Sequence, residues 1–296
     1  MKYIQISDFF VDEVNGGAEQ VDDALAKFLN ASIEKIKCSK LTVDILKSKK
    51  DSRFIISNFT MLSEDCKNYL SKECLYLIWE HDHKYLKSRN PSLYREYTCP
   101  KDQIINYDFY KNAKAVVCQT NLHANVVRRN LELNNIVNFG GSIWTEEELK
   151  HLKSTFYKKT FSSDILRYAY QVSDNIYKGT KEAKDYCDKN KFKQNPINPC
   201  SWSDFIKQLA LSDRYVFFPQ VLETCSRVCV EAKMLGLKVV GNKLIGAIHE
   251  DWFKLSGLEL IKYFEEKNKS IPEFVEECFS GKKKEEKAPE ITVILN

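Results

Sequence analysis

The stretch Pro219–Gly241, PQVLETCSRVCVEAKMLGLKVVG, constrains the fold of this chain more than any other. Ahead of it, Tyr215, Val216, Phe217 and Phe218 form a β-branched and aromatic run, the pattern of a buried strand, and Leu237–Val240 forms another. Between them Val228, Ala232 and Leu235 recur at helical spacing, with Gly236 as the C-terminal stop. Strand, loop, helix, glycine and strand make one βαβ unit. Such units belong to parallel sheets and place ligands at the carboxyl ends of the strands.

Two carboxylates sit in this unit, Glu223 at the loop-to-helix junction and Glu231 further along the helix. On a continuous helix they stand roughly 12 Å apart along the axis, turned by about 80°. That separation is too great for sharing one proton or one metal ion, but it suits two parts of one long ligand. The amide groups at Thr224, Cys225 and Ser226, at the positive end of the helix, suit anionic groups between them. Either glutamate alone also reads as an ordinary helix residue, since a carboxylate near a helix start is favoured by the dipole.

The pattern P-x-x-x-E-T-x-x-R-x-x-x-E-A-x-x-x-G-x-x-V-V resembles the donor-site signature of retaining nucleotide-sugar glycosyltransferases of family 4 (glycosyl transferases group 1). Pro219, Glu223, Thr224, Arg227, Glu231, Ala232, Gly236 and Val239 match it, and Ser226 stands where that family often has Gly. The resemblance implies an α/β chain of GT-B architecture, two Rossmann-like domains facing each other across a cleft. It also implies that Glu223 binds sugar hydroxyls and Glu231 the ribose, while Lys178, Arg227 and the helix start hold the diphosphate.

A chain of 296 residues is long enough for two such domains. We expect a first domain over 1–145, a linker over 146–163, a second domain over 164–250, and C-terminal helices with a charged tail over 251–296. Lys plus Arg exceed Asp plus Glu by four (45 − 41), which suits anionic ligands or an anionic membrane surface and does not call for a nucleic-acid partner. No apolar run approaches the ~20 residues that span a bilayer. MKYIQISDFF acquires Asp8 too early for a signal peptide. The ten cysteines are scattered through apolar runs with no C-x-x-C, as expected of reduced thiols in a cytoplasmic protein, with peripheral membrane contact left open. Asp-x-Asp occurs nowhere, so the expectation is a metal-independent site with no cofactor beyond the donor substrate.

Along the first half, Lys2–Phe10 reads as a strand, Asn15-Gly16-Gly17 as a turn, and Ala18 to Ile36 as a helix with Val21, Leu25, Phe28, Leu29, Ile33 and Ile36 on one face. Two glycines there allow a tight turn and close approach of a ligand. Gly16–Glu19, G-G-A-E, looks like the first-loop motif of family 4, which lies against the acceptor and the leaving phosphate. Leu41–Leu46, Arg53–Phe59 and Leu75–Trp79 read as strands, the last running into Glu80-His81-Asp82-His83. His81 at a strand end suits a sugar hydroxyl or a phosphate, with Asp82 to orient it; a polar surface loop is the other reading. Enzymes similar to this family often carry an H-D pair at this place. Residues 84–103 read as a loop. Ala113–Gln119 and Ile136–Phe139 read as strands flanking the helix Leu122–Leu133, and Trp144 as a packing residue.

In the second half, Leu166–Val172 reads as a strand and Thr180–Lys189 as a helix. Between them the family carries G-R-x-x-x-x-K-G, whose Arg and Lys clamp the diphosphate. Here Lys178-Gly179 matches and Ser173 occupies the Arg position, so half the clamp is missing. Pro196–Ser201 reads as a loop, Trp202–Leu211 as a helix, and 252–279 as helices broken at Pro272, the last crossing back to the first domain. The implied reaction is transfer of a hexose from a nucleotide-diphosphate sugar to a saccharide, lipid-linked or other hydroxyl, with retention. The alternatives are a GT-B subunit without catalysis, favoured by Ser173, a nucleotide-sugar epimerase, and a DNA-modifying glycosyltransferase, which the modest net charge disfavours.

Overall fold

The computed structural model describes residues 2–14, 16–29, 33–159 and 165–281. Two sheets hold the strands, and every strand pairing is parallel. In the first, β1 (Tyr3–Ser7) lies between β2 (Glu34–Lys37) and β3 (Arg53–Ile56), followed outward by β4 (Leu75–Trp79), β5 (Val116–Cys118) and β6 (Ile136–Asn138). In the second, β7 (Arg167–Gln171) lies between β8 (Lys193–Ile197) and β9 (Arg214–Phe217), with β10 (Lys238–Gly241) outside β9.

Helices fill the crossovers that parallel strands require. In the first half these are α1 (Gly17–Phe28), α2 (Val43–Ser48), α3 (Glu64–Glu73), α4 (Tyr107–Asn112) and α5 (Asn121–Leu131). The second half has α6 (Glu146–Lys158), α7 (Thr180–Lys189), α8 (Trp202–Ala210), α9 (Arg227–Met234), α10 (Gly257–Lys269) and α11 (Ile271–Ser280).

Alternation along the strands sorts side chains onto two covered faces. Ile4, Ile6, Phe54, Ile56, Tyr76 and Ile78 meet α3 and α4 through Cys66, Leu70, Phe109 and Tyr110. On the other face Tyr3, Ile55, Leu77 and Trp79 meet Val21 and Leu25 of α1 and Ile271, Phe274 and Val275 of α11. The last helix therefore covers the first sheet, as the crossing-back expectation had it. Pro272 sits in the first turn of α11, where its missing N–H has no helical acceptor to serve. The second sheet buries Ala169, Tyr215 and Phe217 against α6, α8, α9 and α10, and Tyr168, Tyr170 and Val216 against α7. Helix α6 starts at a capping box, Thr145 with Glu148, and adds Leu149 and Leu152 to the second core.

The sequence reading departs from the fold where polar residues carry structure. The helix expected to reach Ile36 stops at Phe28, and Glu34–Lys37 is an edge strand with a largely polar sequence. Leu41–Leu46 is not a strand: the Thr42 hydroxyl caps the Ile45 amide and starts α2 instead. Helices α3 and α4 were not foreseen, although Ser63 caps the former. Strand β8, KQNPI, also went unread. Proline is tolerated there because β8 is an edge of its sheet. Residues 84–103 hold only single 3₁₀ turns, consistent with a loop. Asn15, the charged tail (282–287) and Ile291–Leu295, whose apolar run suggests an edge strand, lie outside the described residues.

Two imidazoles, His83 and His123, are buried edge to face beside β4 and β5, with ring centroids 4.9 Å apart. The Gln119 amide donates to His123 Nδ1 at 3.1 Å, and the Tyr85 hydroxyl lies 3.3 Å from His83 Nδ1. Burial pushes His83 down to about 4, against the opposing pull of Glu80 and Asp82, and holds His123 well below the ordinary range. Both rings are neutral in the fold and charge in the unfolded chain. The stabilisation from His83, on the order of 3 kcal/mol, is complete above about pH 6.5 and disappears as the pH falls to about 4. A His83→Asn variant, whose side chain tolerates the left-handed backbone there (φ 61°), should lose less stability than wild type over that window in denaturant titrations. Equal losses would refute the assignment.

Candidate active site between the two sheets

A cavity of about 460 Å³ opens between the carboxyl ends of the two sheets, with walls from both halves of the chain. Gly16 and Gly17 enter it at the start of α1, His81 follows β4, and Gln119 follows β5. From the second half come Lys178 after β7, the run Glu223–Arg227 between β9 and α9, and Glu231 on α9. Gly16, Gly17, His81, Lys178, Glu223, Thr224, Cys225, Ser226, Arg227 and Glu231, residues more than two hundred positions apart at the extremes, thus share one cavity. Of the expected site residues only Asp82 stands outside its wall.

Lys178 Nζ donates to Glu223 Oε1 at 2.8 Å, and both side chains keep solvent access, 38% and 15%. Gly179 makes this pairing possible. Its backbone is left-handed (φ 64°), and a Cβ there would stand 1.9 Å from the Phe218 carbonyl oxygen, so the loop carrying Lys178 can lie against the end of β9. Ser173, at the position of the missing Arg, lies off the cavity: its amide donates to Thr180 Oγ1 at 3.0 Å and its hydroxyl accepts from the Asn175 amide at 3.2 Å.

Glu231 is 1% exposed. Trp144 Nε1 and Trp202 Nε1 donate to its Oε1 at 3.0 and 3.1 Å, and Arg227 Nε stands 3.6 Å from the same atom. All three contacts fall on Oε1; Oε2 has no protein partner among the described residues. Burial raises the carboxyl above its usual range, opposed by Arg227 and the indoles. Trp144 packs, as expected, against Phe264 (centroids 4.7 Å), and also fixes Glu231.

The Arg227 guanidinium, expected on phosphate, belongs to the cavity wall but turns to α6, donating to Glu148 Oε1 at 2.6 Å and to the Ile143 carbonyl, over the Trp144 ring. A charge this buried needs a fixed counter-charge, and Glu148 supplies it.

The loop before α9 also joins the two halves. Thr224 Oγ1 lies 2.8 Å from both the His81 carbonyl and Gln119 Oε1, and Thr120 Oγ1 donates to the Thr224 carbonyl at 2.7 Å. The Asn121 amide donates to Glu250 Oε1 at 2.5 Å. Thr224 is thus a seam residue whose hydroxyl is already engaged. Cys225 is buried, its thiol pushed up by burial, and Ser226 has the left-handed backbone (φ 69°) where the related pattern has Gly. The Gly246 loop meets this seam rather than the cavity.

In the first half, His81 Nε2 lies 3.2 Å from Asp22 Oδ1, and Gln119 Nε2 is 3.5 Å from its other nitrogen. Asp22, a residue of α1, therefore holds the place expected of Asp82. Asp82 instead pairs with Lys84 (2.7 Å) and Arg89 (3.1 Å), because the chain turns through left-handed His83 just after it. Glu19 is buried, accepts from Asn58 at 3.2 Å, and is raised by burial. Asp22, Gln119, Glu148 and Trp202 escaped the sequence reading. Trp202 alone offered a signal, an indole heading an amphipathic helix.

No family model matches the chain, and no curated protein is similar in sequence. Among solved structures, Anabaena HepE in complex with UDP and glucose superposes with a TM-score of 0.54 at 12% identity, over 95% of this chain and 92% of that one. The catalytic domain of starch synthase IV from Arabidopsis thaliana, bound to ADP and acarbose, gives 0.60 at 10% identity over 95% and 94%. An α-glucosyltransferase in complex with UDP and a 13-mer DNA containing a HMU base gives 0.50 at 10% identity over 95% and 94%. The fold is the GT-B architecture of these proteins.

A Cβ on Gly246 would meet the Thr224 carbonyl oxygen at 2.4 Å and Thr120 Oγ1 at 2.8 Å. Gly246→Ala should therefore cost about 2 kcal/mol and increase the radius of gyration in solution scattering as the halves part. Unchanged stability and dimensions would show that the seam does not hold them.

Proposed function

We propose that this chain is a retaining, metal-independent glycosyltransferase that moves a hexose from a nucleotide-diphosphate sugar to an acceptor hydroxyl. The observation that carries the reading is the placement of Glu223 with Lys178 and of Glu231 in one cleft, along the start of α9. The neighbours solved with UDP, UDP-glucose or ADP support it.

In this reading the sugar lies at Glu223, which accepts from its hydroxyls, and the ribose lies at Glu231 Oε2. The diphosphate between them meets Lys178 and the amides opening α1 and α9, which have no acceptor within their own helices. These donors hold charge that grows on the leaving diphosphate, which favours the transition state over the bound substrate. His81, positioned by Asp22, contacts a sugar hydroxyl or phosphate. The acceptor enters from the first-half side, past Gly16 and Gly17. A saccharide, a lipid-linked sugar or another hydroxyl compound fits this description.

A second reading, a GT-B binding or assembly subunit without catalysis, is favoured by the shortage of cations: Ser173 replaces one and Arg227 is committed to Glu148. Turnover separates the two. Glu223→Gln should leave the melting temperature near wild type and reduce transfer or donor hydrolysis by about 100-fold or more. Lys178→Ala should weaken nucleoside-diphosphate binding about tenfold in calorimetry, or about 1.4 kcal/mol. No turnover by wild type across a panel of nucleotide-sugars would favour the binding subunit, and an unchanged Glu223→Gln rate would remove that residue from the reaction.

A further inference from the structure

Tyr215 lies on β9, two positions before Phe217 and on the same face, with ring centroids 6.1 Å apart. It belongs to the wall of the cleft cavity, yet the residue is 0% exposed and its hydroxyl has no hydrogen-bond partner among the described residues. A buried phenol hydroxyl left unpaired costs about 1–3 kcal/mol, and a phenylalanine would fill the same space without that penalty. No group among the described residues accounts for the hydroxyl, whereas the residue borders a cavity open to a ligand.

From this we infer that the Tyr215 hydroxyl recognises the donor by hydrogen-bonding its nucleoside end. The inference rests on the nucleotide-sugar reading and deepens it. Two features place the contact at the nucleoside rather than the diphosphate. The aromatic part of the wall, Trp202, Phe205 and Phe217, belongs to the same packed cluster as Tyr215, Pro199 adds to the wall, and together they suit a flat heterocycle. The cation, Lys178, is held instead at Glu223. Burial, reinforced by the charges of Glu223 and Glu231, keeps the phenol protonated, so it donates. Its acceptor on the ligand is a base carbonyl, a ring nitrogen or a ribose oxygen.

The test is Tyr215→Phe, followed by thermal stability without ligand and by calorimetry with UDP, ADP, ribose 5-phosphate and inorganic pyrophosphate. The ligand-free variant should melt at or above the wild-type temperature, because an unpaired polar atom has been removed. Its affinity for whichever of UDP and ADP wild type binds should fall about fivefold or more, and pyrophosphate affinity should not change. A matching loss with ribose 5-phosphate assigns the contact to the ribose; an unchanged value assigns it to the base. Equal nucleotide affinity in the two proteins overturns the role of Tyr215 while leaving the donor site standing, and so does an equal loss for pyrophosphate. If wild type binds no nucleotide, the nucleotide-sugar reading falls and the role of Tyr215 with it.

Discussion

The Thr224 hydroxyl, suspended between the His81 carbonyl and the Gln119 side chain, sets the distance between the two halves of this protein. Together with the Thr120 bond to the Thr224 carbonyl, it draws the loop before α9 onto the carboxyl ends of β4 and β5. Two of the groups involved are backbone carbonyls, and a third, the Thr120 hydroxyl, is fixed as the N-cap of α5. Small shifts in either sheet would therefore misalign the seam, and α11, which follows the second-half helices and packs on the first sheet, opposes such shifts. Beside this seam Leu122 and Val126 pack on Leu222 and the Asn121 amide meets Glu250, and the cavity opens on the side where α1 and α9 begin.

Electrostatics then divide that space. One glutamate is partly exposed and paired with a lysine that reaches it from another loop; the other is buried and held on a single oxygen by two indoles. An elongated ligand with hydroxyls at both ends and negative charge between them matches this division better than a compact one. The guanidinium of Arg227 enters this division only beside Glu231, 3.6 Å from its Oε1. By neutralising Glu148 at the start of α6, it serves the joint between the first half and the second core.

The architecture was legible because parallel strands covered on both faces are written as apolar runs, as in Leu75–Trp79 and Arg214–Phe217. Strands β2 and β8 were not, since edge strands need little burial on the outer side and tolerate Glu, Lys, Asn and Pro. The second-half site residues were legible as a linear pattern, from Glu223 to Glu231. The partners that decide what those residues do were not. Asp22 reaches His81 across fifty-nine positions and Trp144 reaches Glu231 across eighty-seven, separations at which no local period carries information. Asp82 was misassigned for the same reason: adjacency in the chain gave it to His81, and one left-handed residue turned it away.

The most direct measurement is a crystal structure of the protein with whichever of UDP, ADP or GDP binds tightest in solution. The account predicts a nucleotide lying along the start of α9, its ribose hydroxyls on Glu231 Oε2 and its terminal phosphate directed toward Lys178. A nucleotide seated outside the cavity, or one whose ribose is remote from Glu231, would contradict it.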